Sequence, residues 1–184
     1  MFHLNKFLLT IILMTLLESG CTRNYEQQDP VGLYFPSVKA KALTGEEIRL
    51  PDHFRGKLTL LLIGYIQDSQ FDVDRWILGL KQLETPVSIA EIPTIQGLFP
   101  RMISSKIDKG MRDGIPKEDW GIVFTVYKDA NKIAQFLGTT KPLNVRSVLI
   151  DEEGKILWFH DKGYSADKAI ELNKYIRSLP SDKY

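Results

Sequence analysis

Few side chains in this chain of 184 residues are equipped for covalent chemistry: one cysteine, Cys21, and three histidines, His3, His53 and His160. Thiol–disulfide exchange needs an attacking thiolate and a second sulfur, and Cys21 stands alone near the N-terminus. A serine nucleophile needs a base within hydrogen-bond reach. Ser69, in the polar run Gln67-Asp68-Ser69-Gln70, sits at a strand-to-helix turn, yet His53 and His160 lie on separate segments with no spacing that brings either beside it. The run reads more simply as a polar loop capping the next helix. Two histidines beyond the first twenty residues are too few for a zinc site without carboxylates, and no metal-ligand spacing occurs. The residues therefore predict no enzyme, no catalytic residue, no bound metal and no cofactor.

Cys21 has another chemistry to offer. Lys6 supplies a positive start, Phe7 to Leu17 is apolar, and Glu18-Ser19-Gly20 precedes the cysteine. An apolar run of about 11 residues is short of the roughly 20 that a spanning helix needs and suits a cleaved signal. Leu17-Glu18-Ser19-Gly20-Cys21 resembles the lipobox of bacterial lipoproteins, whose cysteine receives a diacylglyceryl thioether before cleavage; Glu18 stands where that pattern usually has an aliphatic residue. A lone cysteine in a secreted chain must stay free, pair with another molecule or be modified. The expectation is a signal peptide over 1–20, lipid on Cys21, and a polar tether over 21–34 (Thr22 to Gly32 is TRNYEQQDPVG) leading to a domain over 35–184. By the same resemblance, Thr22 after the cysteine, where retained lipoproteins often carry aspartate, favours the outer over the inner membrane, with the domain facing the periplasm.

The whole chain carries 24 Lys plus Arg against 23 Asp plus Glu, and the first twenty residues contribute only Lys6 and Glu18. So even a balance gives no footprint for nucleic acid. Lipid, at about 0.8 kcal/mol per buried CH2, is the predicted membrane contact.

The elements that must position any site follow in order. Val38 to Leu50 reads as a hairpin around Thr44-Gly45. Lys57 to Ile66 (KLTLLLIGYI) follows Arg55-Gly56 and predicts a fully buried central strand over Leu58 to Tyr65. Val73, Trp76, Ile77, Leu80 and Leu83 recur at helical spacing over Asp72 to Leu83. Val87 to Ile95 alternates as a strand and breaks at Pro93. Phe99, Met102, Ile103 and Ile107 predict a second helix over Phe99 to Met111. A strand over Ile122 to Tyr127 and a short helix over Ala130 to Leu137 follow. Val145 to Ile150 and Lys155 to His160 flank the turn Asp151-Glu152-Glu153-Gly154. Ser165 to Leu179 closes the chain as a helix with Ser165 as N-cap. This is an α/β order with a mixed sheet flanked by helices.

Two stretches carry a family likeness: Leu50-Pro51-Asp52-His53-Phe54-Arg55-Gly56-Lys57 leading into Leu60-Leu61-Leu62-Ile63, and Val148-Leu149-Ile150-Asp151-Glu152-Glu153-Gly154-Lys155-Ile156. With them the chain resembles the peroxiredoxin-like branch of the thioredoxin-like superfamily over about Phe35 to Ser178. Within it, Arg55 to Leu61, Trp76 and Glu118-Asp119-Trp120-Gly121 are similar to the layout of the ATP10-like proteins, whose mitochondrial members assist assembly of the membrane sector of ATP synthase. The final hairpin and helix are comparably similar to periplasmic YtfJ-like proteins. The superfamily's redox cysteine would fall in the Gln67 to Gln70 loop, which has none. Its cis-proline would fall just before Val148, where Val145 and Arg146 stand. The resemblance thus implies a thioredoxin-like scaffold without thiol redox activity, acting as a protein-binding or assembly factor in the cell envelope; the alternative is a thioredoxin-fold enzyme or small-molecule binder with unrecognised chemistry.

Ligands of open α/β sheets gather beyond the carboxyl ends of parallel strands. By the resemblance, that edge gathers Gln67, Asp68, Ser69 and Gln70 with Asn144 and Val145, the expected partner surface. Charge reversal at Asp68 or a bulky side chain at Ser69 is expected to disturb partner capture and spare stability. Glu118, Asp119 and Trp120 form a second candidate surface, with Trp120 its aromatic anchor. Trp76 and Trp158 fall on apolar faces and are assigned to the core.

Overall fold

A computed structural model describes residues 24–180. Cys21 and the expected signal peptide lie outside the described residues. Among the described residues no helix is long and apolar enough to cross a membrane.

The centre is strand β3 (Thr59–Gly64), every residue of which is buried except Gly64. Successive side chains of a strand point to opposite faces. Leu61 and Ile63 accordingly enter one core and Leu60 and Leu62 the other. An unbroken apolar run is what such two-sided burial demands. β3 pairs in parallel with β4 (Ser88–Pro93) and antiparallel with β6 (Arg146–Ile150), which pairs with β7 (Ile156–His160), giving the order β4-β3-β6-β7. The registers set Leu62 opposite Glu91 and Leu61 opposite Val148.

The hairpin β1 (Val38–Ala42) and β2 (Glu47–Leu50) forms a second sheet with β5 (Phe124–Thr125), in the order β2-β1-β5. Parallel bridges Glu91↔Val123 and Thr94↔Val126 join the two sheets along a seam. Helices α1 (Gln70–Gln82) and α5 (Ala166–Ser178) cover one face, where Val73, Trp76 and Leu80 meet Leu172 and Ile176. The hairpin and α4 (Ala130–Leu137) cover the other, through Val38, Leu50, Ile133 and Leu137.

Several expectations change in detail. The helix expected over Phe99 to Met111 is two, α2 (Leu98–Met102) and α3 (Ser104–Gly114), meeting at Ile103. Its apolar spacing does not mark a core face, since Leu98, Phe99 and Met102 are exposed and Asp108 is the residue α3 buries. The strand expected over Ile122 to Tyr127 shortens to β5, because Lys117–Ile122 winds into a 3-10 turn before it. Ser165 occupies the N-cap of α5 with extended backbone, but its hydroxyl makes no capping bond. Trp76 is fully buried, whereas Trp158 is only partly so, packed on the same core.

The expected tether is a strap laid on the domain. Tyr25 N–H donates to Thr139 Oγ1 at 2.9 Å, and Thr139 N–H donates to Tyr25 O at 3.0 Å. At the far end Gly32 N–H donates to Ile156 O at 2.8 Å and Phe35 N–H to Gly154 O at 2.9 Å. Polar composition did not keep residues 24–34 free, because their backbone groups find partners on the folded body.

Candidate functional site

β3 and β4 end at the same side of the sheet, and β6, running the opposite way, begins there. The loop after β3 and the loop before β6 therefore meet, as expected for Gln67 to Gln70 and Asn144 with Val145. Gln67 and Asp68 are exposed. Gln70 Nε2 donates to Asp74 Oδ1 at 3.0 Å and to Glu91 Oε2 at 3.4 Å. Asn144 Nδ2 donates to Asp161 O at 3.3 Å. Val145 is buried and offers no side chain to a partner; its N–H donates to Asp72 Oδ2 at 3.0 Å.

Ser69 departs from the expectation of a surface residue. It is buried and its hydroxyl donates to Ile66 O at 2.6 Å. Room for it comes from Gly64, where a Cβ would collide with the Ser69 hydroxyl. A bulky side chain at 69 would disrupt the turn itself, so it cannot serve as a neutral probe of partner capture.

The place of the absent cis-proline is held by Arg146, fully buried. Its Nη1 donates to Lys141 O at 3.1 Å and Asn144 O at 2.6 Å, Nη2 donates to Thr140 O, and the guanidinium lies 4.8 Å from the Tyr65 ring centroid. Burial pulls its pKa down from the ordinary value, and nearby Tyr65 and Asp161 partly offset that. Carbonyl dipoles and a ring face, in place of a bonded carboxylate, hold the charge. The single cis peptide among the described residues is Leu50-Pro51, elsewhere in the fold.

Glu91 is another buried charge-bearing group, bonded to Gln70 of the same edge. Burial pushes its carboxyl up from 4.5 to about 7; the Gln70 bond opposes this, and Asp74 and Asp119 add to it. Sequence pattern gives neither Arg146 nor Glu91 a site role, although each is a lone charge in an otherwise uncharged strand, Arg146 at the start of β6 and Glu91 inside β4.

The histidines stay away from Ser69's bonding. His53 packs on Phe54 and Phe124, ring centroids 5.2 and 5.0 Å apart. His160 Nε2 lies 2.9 Å from Gly163 O, its ring stacks on Trp158, and burial lowers its pKa. Among the described residues no three His, Cys, Asp or Glu side chains gather as metal ligands.

The second candidate surface lies apart, beside β4 and the last turns of α1. Glu118 is exposed, while Asp119 lines a groove of about 320 Å3 with Ile77, Lys81, Val87 and Ile89. Trp120 is not an exposed anchor: it is half-buried, its Nε1 donates to Ile115 O at 3.0 Å, and the Arg112 guanidinium lies 5.7 Å from its ring centroid. An indole already bonded and covered has little left to offer a partner.

This sheet, with a central strand ending in a polar loop against the start of an antiparallel neighbour, defines a thioredoxin-like fold. The solved structures it is similar to include yeast Sco1 with copper bound, at 12% identity and TM-score 0.58, covering 84% of this chain and 97% of that one. A SCO1/SenC family lipoprotein from Bacillus anthracis strain Ames matches at 12% identity and TM-score 0.57, covering 83% and 100%. A thiol peroxidase from Chromobacterium violaceum matches at 13% identity and TM-score 0.55, covering 83% and 90%. No family model matches the chain, and no curated protein matches it in sequence.

Proposed function

We propose that the chain is a lipid-anchored protein of the cell envelope whose thioredoxin-like domain binds another protein, without thiol chemistry, through the edge beyond β3. The observation that carries this reading is the exposed Gln67-Asp68 turn: it occupies the position that redox relatives give to a thiol, and it contains none. Buried Ser69 and Arg146 make that turn and the facing loop rigid, which suits recognition. The lipobox-like Leu17 to Cys21 supports a lipid anchor, and Thr22 supports the outer membrane with the domain facing the periplasm. The ATP10-like and YtfJ-like resemblances support an assembly role over catalysis.

The test is crosslinking in cells, comparing wild type with Asp68→Lys. Capture should fall sharply for the variant while its stability in urea stays within about 0.5 kcal/mol, as for surface substitutions in general. Equal yields of the same partners from both proteins would move the contact away from this edge. Measurable peroxidase or reductase turnover by the purified protein would refute the non-catalytic reading.

A further inference from the structure

We infer that the same edge is the membrane-facing end of the domain, with Ile66, Phe71, Leu98, Phe99, Met102 and Leu143 seated in the headgroup–acyl boundary of the bilayer that holds Cys21. The inference rests on the lipid-anchor reading and says where that anchor leaves the domain and what it places against lipid.

The first support is reach. The strap joins the domain at Tyr25, tied to Thr139 by two backbone-to-residue bonds and to Gln135 by a third, Gln135 Nε2 to Tyr25 Oη at 3.2 Å. Gly138 cannot carry a side chain there, because a Cβ would stand 2.7 Å from Gln27 Cα. This junction follows α4 and opens into the loop whose carbonyls hold Arg146 beside Tyr65. Three residues separate Cys21 from Tyr25, four residue-to-residue steps that span at most about 14 Å. Thr140, next to Thr139, accepts from the Arg146 guanidinium that lies over the Tyr65 ring, so the anchor reaches the near edge.

The second support is composition. Six of the eleven exposed large hydrophobic residues among the described ones lie on the loops and helix starts at this end, against Val31, Leu33 and Tyr34 on the strap at the other. Phe71 is 71% exposed, Leu98 70%, Phe99 69% and Met102 75%, with Ile66 and Leu143 on the two facing loops. Gln96 Nε2 donates to Asn131 Oδ1 at 2.9 Å, which ties the segment leading into α2 to the start of α4. Monomeric soluble domains seldom gather apolar side chains so. Exposed Arg101, Lys106, Lys128 and Lys141 lie on the same segments or next to them, against exposed Asp68 and Asp74, a basic surplus beside apolar groups of the kind that settles about 5–10 Å into an anionic interface. A partner caught at Asp68 is then met at the bilayer surface.

The test uses the lipidated full chain. Once Cys21 carries lipid, a cysteine introduced by Phe99→Cys or, at the opposite end, by Glu153→Cys is the sole thiol to label. Each labelled protein is reconstituted into phosphatidylethanolamine–phosphatidylglycerol vesicles containing brominated acyl chains. The label at position 99 should be quenched strongly, as expected for a depth of about 5–10 Å, and that at 153 hardly at all. Equal, weak quenching of both labels on protein that floats with the vesicles would overturn the inference and leave the anchor standing. Protein that neither floats nor carries the lipid mass would overturn both. A photo-crosslinker at position 99 that captures protein and not lipid in cells would assign the apolar rim to a protein partner and also refute the inference.

Discussion

Glu91 shows what one buried carboxyl does to the whole chain's response to pH. Its pKa rises from 4.5 to about 7, chiefly through burial. Below about pH 4.5 both folded and unfolded states hold the proton and the group is neutral to stability. Between about 4.5 and 7 the unfolded chain loses the proton while the folded one keeps it, so stability falls as pH rises and levels off above about 7. The total loss is ~3 kcal/mol for a shift of this size. Urea unfolding from pH 5 to 8 should show that decline in the wild type, and Glu91→Gln should flatten it and be the more stable protein at pH 8. Parallel profiles for the two proteins would show that the carboxyl is not the source. The position was legible: in Ser88-Ile89-Ala90-Glu91-Ile92 the alternation sets Glu91 on the face of Ile89, which packs against α1. Burial of Ser69 was not legible, because it depends on Gly64 lacking a Cβ at one point of approach, and no periodicity reports that.

At the scale of elements, Asp72 is the tie that holds the site's loops. From the first turn of α1 its carboxylate accepts from Val145 N at 3.0 Å, at the start of β6, and from Tyr164 N at 2.6 Å, at the entry to α5. Removing the acceptor strands two backbone donors at once, each worth about 1–3 kcal/mol when unsatisfied. Asp72→Ala should cost about 3 kcal/mol by urea unfolding and Asp72→Asn, which keeps one acceptor oxygen, roughly half as much. A loss below about 0.5 kcal/mol for Ala, the range of neutral surface changes, would mean water replaces the carboxylate. Gly163 is coupled to it: φ is +79° and a Cβ would stand 2.9 Å from Asp72 Oδ2. Gly163→Ala should therefore cost less in the Asp72→Ala background than alone, a non-additivity that a double-mutant cycle reads directly. Helical and strand periods marked α1, β6 and α5, but these long-range bonds to backbone N–H groups leave no pattern in sequence. The split at Ile103 was hidden for the opposite reason: Leu98, Phe99 and Met102 keep helical spacing without a core to face.

For the whole molecule, the thioredoxin-like arrangement was readable because β3 and β6 alternate between two cores and the flanking elements supply one cover each. The strap was not, since an apolar count assigns Thr22 to Gly32 to solvent while the contacts of the described part, from Asn24 on, are mainly backbone. Gly138 is its weak point. Gly138→Ala, at φ +77° and against Gln27, should speed hydrogen exchange at the Tyr25 and Thr139 amides and leave β3 and β6 unchanged; uniform acceleration would instead mean global loss of stability. On the lipid-anchor reading proposed above, the domain is loaded through its N-terminal end. Tension arriving from upstream meets the Tyr25–Thr139 bonds first and opens them one after another, as in peeling, which takes far less force than shearing a ladder. Between Tyr25 and Gly32 the chain can then pay out roughly 24 Å of length before the contacts at Ile156 feel the pull. On that reading the strap acts as a mechanical fuse: it yields early, lengthens the leash, and lets the folded sheets ride out a strain that would otherwise reach the core.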